Sequence, residues 1–497
     1  MSDHDTDAPR DYGGWRRRRG IGMFGFGAAG TTAVLGALLV LIITATADAA
    51  ALPYLAPPVL LAGGLGMARI GGEPLAVAAL RRIRWQYRSA RNWTRYRAAV
   101  VAEHSPGFPM PGVLAPLTLL DCEDGHGGRY GIVLDRRTGL MTPTLRVIPA
   151  STWLASRQDA DTWVANWGGW LASLGYLPMV RHVTVTIDTA PEPGTSLADA
   201  VAAALDPASQ LAARQIMSQL VKSAPAAAAD VDTRVSISFD PKLSPAAPGD
   251  LTAAAAEVGR VMHGLESALG TCGVTVLGRA SAAELAGIVR TAFDPAARGE
   301  VNRILAPPPA LPAQELSWAD AAPVGAQEEA GCYRHDSGIS VTWAWSEAPR
   351  QNVTADVLAR LVAPGRHPKR VSLQYRPFPA AEAVRVLESE VNAAQFRAVY
   401  KRRTGRDETA RDSYDQARAR QSAAEEAAGA GVCLVSLYVT VTVTSDAELP
   451  RAAAETEAAA ESSKIRMRRM TYSQAAGWAA TLPCGICPPE LARRMPR

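Results

Sequence analysis

Hydrophobic positions are spread unevenly along the chain. Ile21 to Ala47 carries no charge, Asp48 interrupts, and Ala49 to Ala68 is uncharged again until Arg69. A membrane-spanning helix needs about 20 mostly apolar residues, because roughly 30 Å must be crossed at about 1.5 Å per residue. The first run exceeds that length. The second just reaches it, with Pro53, Pro57 and Pro58 in its first half, where the opening turn of a helix tolerates proline. The pattern predicts a transmembrane helical hairpin over 21–68, with a tight turn around Ala45–Pro53.

Beyond the hairpin the pattern becomes amphipathic. Residues 69–105 predict a basic juxtamembrane helix, running from Glu73 to Val101. In it Arg81, Arg84, Arg88, Arg91 and Arg95 recur at spacings of three and four, which puts them on one helical stripe. Trp85, Tyr87, Trp93 and Tyr96 are interleaved, and such rings favour the headgroup zone. The five arginines are the lipid-contact candidates; a solvated face is the plain alternative. Residues 106–116, with four prolines, predict a linker.

Alternating patterns then predict two α+β subdomains, each a sheet covered by helices on one face. The first covers 117–305. It has a hairpin at Tyr130–Asp135 and Leu140–Ile148, strands at Val180–Asp188 and Asp232–Asp240, and a helix over Asp159–Leu174. Trp163, Trp167 and Trp170 form a stripe on that helix, which reads as core. A Pro-rich connection spans 306–337. The second subdomain covers 338–483, with strands at Ile339–Trp345, Arg370–Tyr375 and Cys433–Thr444. Asp407–Ala428 is charged on most faces and predicts a protruding helical arm. Residues 484–497 read as a C-terminal tail, and residues 1–20 as a disordered, basic N-terminus.

Charge sets the direction of the hairpin. Arg16 to Arg19 precede it, eight arginines follow between Arg69 and Arg97, and the turn holds only Asp48. Arg-rich flanks stay cytoplasmic, so both termini face the cytoplasm of a two-pass plasma-membrane protein. A cleaved secretory signal is the alternative, but it leaves the second run without purpose. The formal charge of +4 conceals an imbalance: Met1–Pro106 holds thirteen Arg against seven acids. The basic end suits anionic lipid, and direct nucleic-acid binding is not expected. Only five of the 52 basic residues are Lys, which fits a GC-rich genome.

The motifs for chemistry are weak. No phosphate loop, no H-E-x-x-H and no G-x-S-x-G occurs in the chain. Cys484 and Cys487 make one C-x-x-C in a Pro-rich tail, without the second pair a structural zinc needs. Cys122, Cys272, Cys332 and Cys433 are scattered, as in a reducing compartment. Asp121–Gly128 clusters acids and a His, but its spacing is not that of a calcium loop. His335 and Asp336 adjoin, with no nucleophile beside them in sequence. No catalytic residue, cofactor or metal is predicted.

Two resemblances remain. GGWRRRRGIGMFGFG, GEPLAVAALRRIRW, DTWVANWGGWLASLGYLPMV, TAFDPAARGEVNR, YRHDSGISVTWAW and TLPCGICPPELARR resemble an actinobacterial family of two-span membrane proteins found beside conjugation-type transfer ATPases. The N-terminal hairpin resembles the PrgI-type membrane subunit of Gram-positive type IV secretion. KRVSLQYRPFPAAEAVRVLE, SLYVTVTV and SQAAGWAATLP are similar to the non-motor N-terminal domain of type IV traffic ATPases. The motor itself has no counterpart here. These resemblances imply a non-enzymatic inner-membrane scaffold, homo-oligomeric within a larger assembly, that recruits a separate P-loop traffic ATPase in a type IV-like DNA or protein transfer machine. A type VII secretion EccE-like component and a membrane-bound metal- or thiol-dependent enzyme are the alternatives.

Overall fold

The computed structural model describes residues 28–47, 53–59, 69–70, 73–98, 108–124, 128–151, 155–191, 201, 204–206, 208–223, 229–306, 316–347, 349, 351–379, 382–388, 392, 417, 420–422, 424–425 and 431–494. Most of the second apolar run and of the expected charged arm therefore lies outside the described residues. So do residues 1–27.

The elements in chain order begin with α1 (Ala28–Ala47) and the short pair β1 (Arg69–Ile70) and β2 (Glu73–Pro74). Next come α2 (Leu75–Ala90), β3 (Arg95–Arg97), β4 (Leu117–Glu123), β5 (Arg129–Asp135), β6 (Met141–Pro149) and α3 (Arg157–Leu174). They are followed by β7 (Val180–Pro191), α4 (Leu211–Ser223), β8 (Ala229–Phe239), α5 (Leu251–Leu269), β9 (Val274–Arg279), α6 (Ala282–Phe293) and α7 (Arg298–Leu305). The second half has β10 (Gly325–Glu328), β11 (Tyr333–His335), β12 (Gly338–Glu347), α8 (Ala359–Val362), β13 (Lys369–Pro377) and β14 (Cys433–Val443). It closes with α9 (Leu449–Ser462), β15 (Arg466–Arg469), α10 (Gln474–Ala480) and α11 (Pro488–Arg494). Among the described residues no helix is long and apolar enough to cross a membrane. The uncharged α1 has 20 residues; its side chains are described from Leu35 onward, and Leu35, Leu38, Leu39, Val40, Ile42 and Ile43 are exposed.

The two expected subdomains share one sheet. Its strands run β3-β10-β11-β12-β14-β13-β7-β8-β6-β5-β4, with β15 paired to β12 and β9 to β6. Every pairing is antiparallel, and the halves join where Lys369–Tyr375 pairs with Val183–Thr189. Residues 307–313 of the Pro-rich stretch lie outside the described residues, and the described strands before and after them belong to one sheet. Within the expected connection, β10 and β11 are strands of four and three residues, too short for a periodic signal.

The order β4-β5-β6-β8-β7, with β9 on β6, recurs as β10-β11-β12-β14-β13, with β15 on β12. Register repeats too. The hydroxyls of Thr142 and Ser238 lie 2.8 Å apart, and those of Thr144 and Ser236 2.9 Å. Their counterparts are Ser340 with Thr442 at 2.8 Å and Thr342 with Thr440 at 2.9 Å. Ala280 N–H donates to the Thr144 carbonyl as Met470 N–H donates to that of Thr342. Ser236 faces Thr184, and its counterpart Thr440 faces Arg370. Two residues further on, Thr186 corresponds to Ser372, and these two face each other across the seam. A local twofold axis therefore passes between them.

Helices cover both faces, not one. The alternation in β7 puts Val183, Val185 and Ile187 on one side and His182, Thr184, Thr186 and Asp188 on the other. The apolar side packs under α3 and α5, through Trp170, Leu174, Val258, Met262 and Leu269. The predicted Trp stripe is core here: Trp167 stacks on Trp170 at 5.0 Å and meets the edge of Tyr375. In the second unit α8 and α9 take the equivalent place, through Leu361 and Ala460.

The hydroxyl side, which alternation alone assigns to water, lies under α6, α10 and the last residues of the chain. Hydroxyl pairs satisfy each other, so little is lost by burying them. The expected free tail is the final piece of this cover. Gln374 Nε2 donates to the carbonyls of Ala480 and Ile486. Ser372 Oγ donates to Ala480 O, and Arg370 Nε to Thr481 Oγ1. Glu490 pairs with Arg181 in β7 and Arg376 in β13. The segment thus spans both units.

Gly485 is where this cover comes closest to the sheet. Its φ is 68°, in the left-handed region, and an added Cβ meets the hydroxyls of Thr142 and Ser238. Gly485→Ala is expected to destabilise the fold by about 2–4 kcal/mol, from backbone strain plus overpacking. Gly365→Ala, where a Cβ meets open space, is the neutral control. Thermal unfolding of the two variants checks this.

Candidate functional site

The predicted arginine stripe falls on α2 and β3. The helix stops at Ala90, well before the expected Val101. Asn92 has a φ of 56°. Asn92 N–H donates to Ser89 O at 3.0 Å, and Trp93 N–H to Arg88 O at 2.9 Å. These two bonds around a left-handed residue close the last turn, and Asn enters that conformation more readily than most residues. The chain then leaves as β3 and pairs with β10.

One side of α2 faces the body. Trp85 packs on Tyr472 with ring centroids 5.3 Å apart. Arg88 lies 3.5 Å from the Glu328 carboxylate. Glu328 is buried, accepts from Ala475 N–H at the start of α10, and has its pKa raised by burial. Arg81 is half-buried on the same side. Arg84 and Arg91 are exposed, and Arg95 lies in β3, also exposed. The five candidates therefore do not share one face: Arg81 and Arg88 turn toward the body, and Arg95 sits beyond the helix.

The outward side is more apolar than the stripe suggested. Leu80, Ile83, Tyr87 and Trp93 are exposed, Ile83 and Trp93 at 60%. The Arg91 guanidinium sits 4.6 Å from the Tyr87 ring centre and 5.5 Å from that of Trp93. Apolar bodies flanked by ring-stacked cations can lie along a boundary between oil and water. The apolar residues sit at 80, 83 and 87, a helical spacing present in the sequence but overshadowed there by the arginines.

The other motifs are locked into structure. Cys484 and Cys487 are buried in the cover over the hydroxyl face. Burial pushes the Cys484 thiol up to about 12 and that of Cys487 up to about 11. Both stay protonated at neutral pH, and the thiolate is the form that attacks or binds metal. Among the described residues no group of three or more His, Cys, Asp and Glu could hold a metal ion. Asp121 pairs with Arg129, and Asp124 accepts from Gly128 N–H; residues 125–127 of that cluster lie outside the described residues.

Sequence reading missed that Ser340 lies beside His335. Its Oγ is 2.8 Å from His335 Nε2, and His335 Nδ1 is 2.6 Å from Phe293 O. The carbonyl can only accept, so Nδ1 carries the proton and Nε2 accepts from Ser340. Both side chains are buried. Asp336 points elsewhere, accepting from Arg290 and Gly325 N–H. Burial holds His335 down at about 4, so the folded protein keeps it neutral.

At pH 8, a thiol reagent should leave Cys484 and Cys487 unmodified in the folded protein and label both after unfolding, as read by peptide mass spectrometry. His335 should make stability pH-dependent. Its folded pKa is below the ordinary 6.5, so its contribution is complete above that value and is lost as pH falls toward 4. The loss is at most about 3 kcal/mol, at about 1.4 kcal/mol per pH unit. Stability measured from pH 7.5 to 4.5 should therefore fall less in His335→Gln than in the wild type. No family model and no curated protein matches this chain.

Proposed function

We propose that this chain is a membrane-anchored scaffold subunit of a conjugation-type transfer machine, and that it recruits a separate motor ATPase. The observation that carries the anchoring is α1. Six large apolar side chains, Leu35, Leu38, Leu39, Val40, Ile42 and Ile43, are exposed on it. Contiguous exposed apolar surface of this kind marks a contact with lipid or protein, and an uncharged helix apolar on all sides belongs in a membrane or a core. The uncharged run begins before α1, at Ile21, and ends with it at Ala47. In this reading 21–68 is the hairpin and both termini stay in the cytoplasm.

The outward side of α2 supports the same reading. Leu80, Ile83, Tyr87 and Trp93 would lie at the headgroup level, with Arg84 and Arg91 near anionic lipid. Each such arginine adds about 1 kcal/mol, less in salt. The reading assigns no catalysis to the chain. It rests the ATPase partner on the resemblance of 338–483 to the non-motor domain of traffic ATPases.

The full-length chain is expected to stay with membranes through an alkaline carbonate wash. Changing Leu38, Leu39, Ile42 and Ile43 together to Asp should release it. Recovery of the wild type in the soluble fraction overturns the anchoring. A membrane pull-down should also retrieve a P-loop ATPase, and its absence overturns recruitment.

A further inference from the structure

The two units of the sheet differ at their outer strands. In the second unit β10 carries an additional strand, β3, in register from Gly325 with Arg97 to Gln327 with Arg95. Glu328 N–H donates to Thr94 O at 2.8 Å and Ala98 N–H to Val324 O at 2.9 Å, extending that ladder. In the first unit β4 is the equivalent strand, and among the described residues nothing pairs with its outer edge.

The backbone groups on that edge can be assigned. Asp135 N–H bonds Leu140 O and Gly131 N–H bonds Ala280 O, so the odd residues of β5 turn away from β4. Its even residues turn toward β4, opposite Thr118, Leu120 and Cys122. The odd residues of β4 therefore point outward. Leu117 O is taken by Trp318 Nε1 at 3.1 Å. The N–H and C=O groups of Leu119, Asp121 and Glu123 have no partner among the described residues. The strand has seven residues, no Pro or Lys, and an unbroken register with β5. Pro, Lys and bulges commonly block natural edges; here the only charges are the acids Asp121 and Glu123.

We propose that copies of this chain join edge to edge, with β3 of one copy adding antiparallel to β4 of the next. The charges select this pairing. Asp121 and Glu123 are exposed on β4, Asp121 also pairing with Arg129 of β5, and self-pairing of β4 would bring four carboxylates together against only the two Arg129 side chains. β3 is Arg-Tyr-Arg, with both arginines exposed. Its inner bonds use Thr94 and Ala98, so Arg95 and Arg97 present their backbone outward. The Arg95 N–H is taken by Asn92 O at 3.2 Å, which leaves Arg95 C=O and both groups of Arg97. Setting Arg97 opposite Asp121 and Arg95 opposite Glu123 meets both requirements. Outward-pointing residues fall opposite each other, and two basic side chains lie on the same face as two acidic ones. Because β3 and β4 end the same sheet, the contact is head to tail and generates a ring or a filament. It needs only the two edges and does not depend on the membrane reading.

The test uses the full-length protein in mild detergent, with mass measured by light scattering after size exclusion. The wild type should exceed one chain. Arg95→Glu with Arg97→Glu, and Asp121→Arg with Glu123→Arg, should each reduce it to one chain, and all four changes together should restore association. A wild type that stays a single chain, or double variants that keep the wild-type mass, overturns the proposal. A second measurement does not require charge reversal. Arg97→Cys with Asp121→Cys should give a disulfide ladder between chains that reductant collapses, and neither single change should do so. Failure of the paired cysteines to cross-link also overturns it.

Discussion

The ladder between β7 and β13 is the only pairing that joins the two units of the sheet among the described residues, and the architecture on both faces depends on it. At its centre Thr186 and Ser372 face each other. Both are small and neither is exposed, so the covering segment can come down onto the strands there. Larger or charged residues flank this point. Arg370 stands opposite Asp188 in the register, is buried, and lies 5.4 Å from the Trp478 ring. Burial lowers its pKa, with Asp188 acting in the opposite direction. The seam is thus polar on the side where α6, α10 and the C-terminal segment sit, and apolar on the side of α3, α5, α8 and α9.

That polar side is covered more closely than the apolar one. In β7 the residues facing the hydroxyl side are buried, while Val185 and Ile187 on the other side are only half-buried. Hydroxyl pairs make this feasible. Each side chain both donates and accepts, so a row of Ser and Thr can satisfy itself between neighbouring strands without water. Two histidines end such rows: His182 beside Ser238 and His335 beside Ser340. Direction in the second row is fixed from its far end, because Phe293 O can only accept.

Much of this was legible in the residues. The long strands were, because Val180–Asp188, Asp232–Asp240 and Cys433–Thr444 alternate strongly, and the helix bearing Trp163, Trp167 and Trp170 was as well. What alternation could not convey is whether a hydroxyl face meets water or protein, since Ser and Thr suit both. That ambiguity hid the second helical layer and made residues 484–497 read as a tail. The union of the two halves was hidden for another reason: β7 and β13 are about 180 residues apart, and register between them leaves no local trace. At the candidate site, the arginine spacing gave the helix but not its end. Asn92 was the stop signal, outweighed by the continuing run of Arg and aromatic residues. The exposed Leu80, Ile83 and Tyr87 were visible as a helical repeat, yet which side of α2 would turn outward depended on Trp85 meeting Tyr472, far away in sequence.

The position of the covering segment also orders events during synthesis. Residues 474–494 leave the ribosome after every strand of the sheet has been made. Until then the rows of Thr142, Thr144, Ser236 and Ser238, and of Ser340, Thr342, Thr440 and Thr442, lack much of their cover. An apolar face left open for that interval invites aggregation. Hydroxyls instead hydrogen-bond to water while they wait and to one another once covered. The chemistry that lets this face be buried is also what lets it be exposed, so the rows can stay hydrated until residues 474–494 arrive to close them.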